Sequence, residues 1–215
     1  MRTGPPLDHA GDAIGTRSWL TWPNLLTLVR LLLVPVLAVL LFSGDGNDPT
    51  TRAWATVVFV VAALTDLIDG ELARRSGTVT TVGKIADPIA DKAITGVALI
   101  GLSWLGDLPW WVTAVILVRE VGVTVLRFWV IRHGVIPASR GGKAKTVAQI
   151  IAISLYLAPL PSGFDTVRIL AMAVAVVLTV VTGVDYAMRA WRLRGAGRSA
   201  AGQSGGGSSG AGRST

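Results

Sequence analysis

The chain has 215 residues, 51% of them hydrophobic and only 15% charged, with a mean hydropathy of +0.58 and a formal net charge of +7. A water-soluble domain carries about a quarter charged residues, so this composition argues against a soluble enzyme and for a bilayer as solvent. With no cysteine there is neither a disulfide framework nor a thiolate metal centre, and the basic residues are scattered over separate segments, which argues against nucleic acid as the partner.

Taken in chain order, residues 1–19 are polar and read as a cytoplasmic segment rather than a secretory signal. Six apolar runs follow, at 25–42, 53–73, 85–105, 110–131, 147–161 and 167–190. They predict an all-α integral membrane protein with six transmembrane helices. The first run opens as "PNLLTLVRLLLVP", with Asn24, Thr27 and Arg30 as its polar positions. Asn24 suits a helix N-cap as well as a substrate contact. An arginine inside an apolar helix must face a carboxylate or a phosphate, so Arg30 is expected to point away from lipid. The fourth run carries Arg119 and Arg127 on nearly one side, with Glu120 able to pair with Arg127. The segment "RGGKAKT" at 140–146 reads as a basic loop before the fifth helix, bringing Lys143 and Lys145 to the membrane surface. Residues 194–215 are Gly/Ser-rich and are expected to be a disordered tail, leaving 20–193 as the membrane domain.

Basic residues set the orientation. With a cytoplasmic N-terminus, the inside loops hold Arg74, Arg75, Lys84, Arg132, Arg140, Lys143 and Lys145, and the outside loops only Arg52 and Arg168. That asymmetry obeys the positive-inside rule. All four lysines, Lys84, Lys92, Lys143 and Lys145, fall in or beside this inside end.

The second and third runs contain four aspartates. Asp66, Asp69, Gly70 and Ala73 share one helix face, and Gly83, Asp87 and Asp91 share another. Each acidic group inside a membrane costs about 2.5–3.5 kcal/mol, and four together repel one another. Such a set is tolerable with a compensating cation, and oxygen-only ligands suit a hard divalent ion, Mg²⁺ or Mn²⁺. Four carboxylates suffice for two ions, the arrangement used in phosphoryl transfer. Gly70, Gly83 and Ala73 keep the faces shallow, and Arg74 stands where it can reach phosphate oxygens. A single intramembrane aspartate often serves only helix pairing, and lone glycines serve close packing; four carboxylates on two matched faces fit that reading poorly.

The pattern Asp66-x2-Asp69-Gly70-x2-Ala73-Arg74-x8-Gly83-x3-Asp87-x3-Asp91 resembles the signature of the CDP-alcohol phosphotransferase family at every specified position. The resemblance implies that family's six-helix membrane fold, a homodimer and a site at the cytoplasmic face of a bacterial plasma membrane. It implies that Asp66, Asp69, Asp87 and Asp91 are metal ligands, with Asp91 also the catalytic general base. It implies that Asp69, Gly70, Ala73, Arg74 and Gly83 hold the CDP-lipid. "PNLLTLVRLLLVP", "DPIADK" and the region 118–149 resemble the phosphatidylglycerophosphate synthase branch, notably its actinobacterial members. That branch joins CDP-diacylglycerol to sn-glycerol 3-phosphate, releasing CMP. Arg119, Lys143, Lys145, Arg127 and Arg30 are then the candidates for binding the acceptor phosphate. Two rivals stand beside this reading: the same chemistry with inositol phosphate or phosphatidylglycerol as acceptor, and a cation or proton transporter built on the aspartates.

Overall fold

The computed structural model describes the backbone of residues 22–43, 46, 48–76, 81–131 and 140–204. It describes the side chains of these residues except 22–24, 66–76, 81–91, 127–131, 140–141 and 192–204. Every regular element among the described residues is helical: α1 (Trp22–Phe42), α2 (Pro49–Ser76), α3 (Thr81–Trp104), α4 (Trp110–Ile131), α5 (Arg140–Leu157) and α6 (Asp165–Ser204), with a short 3₁₀ turn at Ser162–Phe164.

Local chemistry explains the boundaries. Asp48 caps α2: its Oδ2 accepts the Thr51 backbone N–H and the Thr51 hydroxyl, each at 2.8 Å, and Pro49 supplies the first helical residue. Those hydrogen bonds hold the Asp48 carboxyl below its ordinary range. At the end of α3, Asp107 N–H donates to Leu102 O (3.0 Å) and Gly106 N–H to Ser103 O (3.2 Å), with Gly106 at φ +82°. This is a Schellman closure, and glycine accepts its left-handed residue at no steric cost. Pro159 and Pro161 follow α5 and prevent its continuation.

Two boundaries differ from expectation. Residues 140–146, expected as a loop, form the first two turns of α5, so Lys145 sits on a helix despite the adjacent glycines at 141 and 142. Helix α6 continues to Ser204, past the expected start of the tail at 194, because no proline interrupts a stretch with several good helix formers.

Packing divides the bundle. Among the described residues α1 meets only α2 and α3, α6 meets α4 and α5, and the contacts of α2 with α5 and of α3 with α4 and α5 join the halves. The buried stripe of α1 runs through Thr27, Arg30, Leu37 and Leu41. A Cβ on Gly101 of α3 would come within 2.7 Å of Leu41 Cδ1, so a glycine there permits the close approach of α1 and α3. The core continues through Phe59, Ile94, Leu99, Ile116, Ile153 and Met172.

The outside of the bundle is apolar. Leu32, Val39, Val118, Val125, Ile169 and Leu170 are all exposed, a surface that water penalises and lipid does not. Leu25–Phe42 and Ser162–Trp191 are long and apolar enough to cross a membrane unaided, with mean hydropathies of 2.7 and 2.4; Pro49–Thr65 and Lys92–Trp104 are shorter apolar stretches. Exposed Trp54, Trp104, Trp110 and Trp111 cluster where α2 begins and α3 turns into α4, as at a membrane interface. A network centred on Arg52 ties that end together: its Nε donates to Gly46 O (2.8 Å), its Nη1 to Tyr156 O (3.2 Å), and its Nη2 pairs with Asp107.

Candidate active site

The aspartate-bearing turns belong to the second half of α2 and the first half of α3, consecutive helices that pack against each other. The side chains of Asp66, Asp69, Gly70, Ala73, Arg74, Gly83, Asp87 and Asp91 lie outside the described residues, as does that of Arg127. No metal-binding cluster of His, Cys, Asp or Glu occurs among the described residues. The four aspartates are thus known by helix and register, and their donor chemistry, oxygen only, is that of a hard divalent ion.

The next residue after Asp91 is described, and it opens a charged cluster. Lys92 on α3 places Nζ 3.7 Å from Glu120 Oε2 on α4. Arg119 Nη1 donates to Glu120 Oε1 at 3.1 Å, and Lys145 on α5 donates to the same oxygen. Three cations from three helices therefore converge on one carboxylate. Lys145 is the most enclosed, at 4% residue exposure, and Glu120 is largely shielded too. A lysine so deep must be paired, and Glu120 is its partner.

Helix α6 seats Arg119 from behind. Arg119 Nη2 donates to Thr182 Oγ1 at 2.9 Å, and Thr182 in turn donates to Leu178 O at 2.6 Å. A Cβ on Gly183 would lie 3.0 Å from Arg119 Cγ, so the missing side chain makes the berth for the arginine stem. Between α2, α3, α4 and α5 lies a cavity of about 110 Å³, whose polar lining is Lys92, Thr95, Glu120, Lys145, Thr146 and Gln149.

Of the expected acceptor residues, Arg119 and Lys145 come together here. Lys143 is exposed on α5, and no ion pair joins it to this cluster. Arg30 is 1% exposed, which agrees with its expected turn away from lipid, and it sits on the α1 face that packs against α2 and α3. The described partners of Glu120 are Lys92, Arg119 and Lys145; the expected pairing with Arg127 lies outside the described residues. Sequence reasoning did not foresee Glu120 as the hub, nor Gln149, Thr182 and Gly183. The four-residue spacing of Lys145 and Gln149 was a usable signal once 140–146 is read as helix.

The acidic motif of α3 thus ends one residue before a lysine-lined cavity. The CDP-alcohol phosphatidyltransferase family model matches residues 20–181. The chain belongs to this family. Over 184 residues it is 54% identical to a protein of Mycobacterium tuberculosis named "Probable phosphatidylglycerophosphate synthase", covering 86% of this chain and 88% of that one. It is 39% identical to a Bacillus subtilis CDP-diacylglycerol–glycerol-3-phosphate 3-phosphatidyltransferase, over 79% of this chain and 94% of that protein. It is 34% identical to a Streptomyces coelicolor cardiolipin synthase (CMP-forming), over 75% of this chain and 76% of that protein. As a CDP-alcohol phosphatidyltransferase family member, the chain carries its aspartate motif within the matched residues.

Proposed function

We propose that this chain is an integral membrane transferase. It moves the phosphatidyl group from CDP-diacylglycerol to sn-glycerol 3-phosphate, giving phosphatidylglycerophosphate and CMP. The observation that carries the acceptor assignment is the convergence of Lys92, Arg119 and Lys145 on Glu120, with Lys92, Lys145 and Glu120 lining a cavity that begins one residue after Asp91. Lys92 follows Asp91 directly on α3, a rise of about 1.5 Å, which sets the cavity next to the last turn of the aspartate motif. The names of the Mycobacterium tuberculosis and Bacillus subtilis relatives support the same acceptor.

In this reading Asp66, Asp69, Asp87 and Asp91 hold two divalent ions, Mg²⁺ or Mn²⁺. When bound, the ions supply charge neutralisation for the diphosphate and for departing CMP. Asp69, Gly70, Ala73, Arg74 and Gly83 receive the cytidine diphosphate. Asp91 takes the proton from the acceptor hydroxyl as its oxygen bonds to the β-phosphorus, and the bond from that phosphorus to the CMP oxygen breaks. Arg119 and Lys145 hold the acceptor phosphate, with Arg127, Lys143 and Arg30 adding to the positive field. Six helices span the membrane as the domain 20–193, the aspartate end faces the cytoplasm, two copies form a homodimer, and residues 1–19 and 194–215 flank the domain on that side.

The test is an acceptor panel. Purified protein with labelled CDP-diacylglycerol and Mg²⁺ or Mn²⁺ is offered sn-glycerol 3-phosphate, inositol phosphate or phosphatidylglycerol, and the lipid product is identified. Phosphatidylglycerophosphate from the first is expected. Cardiolipin from the third alone, the reaction in the name of the Streptomyces coelicolor relative, overturns the acceptor and leaves the transferase standing. No metal-dependent CMP release with any acceptor overturns both.

A further inference from the structure

We propose that Gln149 reads a non-reacting hydroxyl of the acceptor and so determines which phosphorylated alcohol the cavity takes; this rests on the acceptor assignment above. Gln149 stands on α5 four residues after Lys145, on the same helix face. It is only 4% exposed, lines the cavity beside Lys92, Glu120 and Lys145, and its amide nitrogen has no hydrogen-bond partner. Among the described residues that line this cavity, it alone has a buried polar atom left unpaired.

Two of the neighbouring polar groups are already engaged. Glu120 binds three cations, and the Thr146 hydroxyl donates to Gly142 O at 3.1 Å. The apolar lining, including Phe59, Leu117 and Ile153, offers the amide nothing. A buried unpaired donor costs about 1–3 kcal/mol, which a ligand atom in the cavity would recover. Rotation about the last side-chain torsion turns either the N–H₂ or the oxygen of the planar amide to the cavity, so it can donate or accept.

Charge decides what the amide recognises. Among the described residues the cluster holds three cations to one carboxylate, two of them, Lys92 and Lys145, lining the cavity, a surplus that suits the roughly two negative charges of a phosphate monoester near neutral pH. A neutral amide adds nothing to that balance and is suited to a hydroxyl. In sn-glycerol 3-phosphate one terminal hydroxyl attacks and the central one does not react. The central hydroxyl is the group we assign to Gln149. A site built to hydrogen-bond a hydroxyl discriminates against the analogue lacking it, because its own polar group is then stranded.

The experiment compares sn-glycerol 3-phosphate with 3-hydroxypropyl phosphate, which keeps the attacking hydroxyl and the phosphate but lacks the central hydroxyl. Initial rates of CMP release are measured with full-length wild type and with Gln149→Met, a change that keeps length and removes polarity, at saturating CDP-diacylglycerol and divalent ion. Wild type should lose about ten- to hundredfold in kcat/KM on the deoxy acceptor. Gln149→Met should lose a similar factor on sn-glycerol 3-phosphate and little on the deoxy acceptor, so that the two losses do not add. Equal losses on both acceptors in the variant assign Gln149 to packing or phosphate binding and overturn the proposal. Equal use of the two acceptors by wild type overturns it with no variant needed. Use of neither by an enzyme that consumes a different alcohol takes down the acceptor assignment, and with it this inference.

Discussion

Lys145→Ala is the sharpest probe of the cation cluster. The ammonium has three N–H donors and uses one on Glu120. It is buried on α5 and lines the cavity. Truncation removes one charged hydrogen bond to the acceptor phosphate, worth roughly 1.5–3 kcal/mol. At about 1.4 kcal/mol per factor of ten, the KM for sn-glycerol 3-phosphate should rise about ten- to hundredfold. Glu120 keeps Arg119 at 3.1 Å and Lys92 at 3.7 Å, so the fold should survive. Lys143→Ala is the internal contrast: that side chain is exposed, and a screened charge is worth at most about 1 kcal/mol, or fivefold. The assay is CMP release against acceptor concentration at saturating CDP-diacylglycerol, then the reverse titration. An unchanged acceptor KM together with a raised CDP-diacylglycerol KM would refute the reasoning and move the pocket to the other substrate.

Four further outcomes are expected. Glu120→Gln leaves three cations without their carboxylate; allowing for their partial exposure, stability should fall by about 2–4 kcal/mol, read as a melting temperature lower by roughly 5–15 °C in detergent, and an unshifted melt would show that the cluster is not held by charge. Chelation should abolish CMP release and Mg²⁺ or Mn²⁺ restore it, while Asp66→Asn should demand more metal; full activity of that variant at limiting metal would remove Asp66 from the ligand set. Asp91→Asn keeps the shape but accepts no proton, so turnover should drop by at least about 10²–10⁴-fold, and near-normal turnover would discard it as the base. Gly183→Leu should push Arg119 off Thr182 and Glu120 and raise the acceptor KM without changing that for CDP-diacylglycerol, whereas a uniform loss in both would point to general misfolding.

The helices were largely legible from hydropathy, because each apolar run lies within or close to one observed helix. Their ends were not, and the reason is chemical. Apolar patterning reports where lipid begins, while a helix continues wherever the backbone is allowed to. Thus α2 and α3 extend through polar turns to Ser76 and from Thr81, and α5 starts at Arg140 although Gly141 and Gly142 read as a loop. That single boundary concealed the cavity. Once residues 140–146 are helical, Lys145 and Gln149 share a face, and Lys143 turns to the opposite side. Arg30 was readable because an arginine in an apolar helix admits few solutions. Glu120 was not, because its neighbour Arg119 and its helical partner Arg127 are plausible from spacing, whereas Lys92 and Lys145 reach it only through tertiary packing.

The pairing of charges separates scaffold from site. Three other ion pairs among the described residues are one to one: Arg52 with Asp107, Arg168 with Asp165, and Arg189 with Asp185. Arg52 and Arg168 also saturate backbone carbonyls at the tryptophan-rich end, Gly46 and Tyr156 for the first, Ala158 and Leu160 for the second. Such neutral, carbonyl-tied pairs lock connections and leave no field for a ligand. The Glu120 cluster differs, with three described cations to one anion, two of them lining a partly apolar cavity. Buried like charges repel strongly at low dielectric, so an excess of this kind is unfavourable unless an anion completes it. The excess stands one residue beyond a carboxylate motif whose own surplus is negative. On the proposed reading, the two imbalances serve a dianionic alcohol beside a metal-bound diphosphate, the pair of substrates that a phosphatidyl transfer to glycerol 3-phosphate requires.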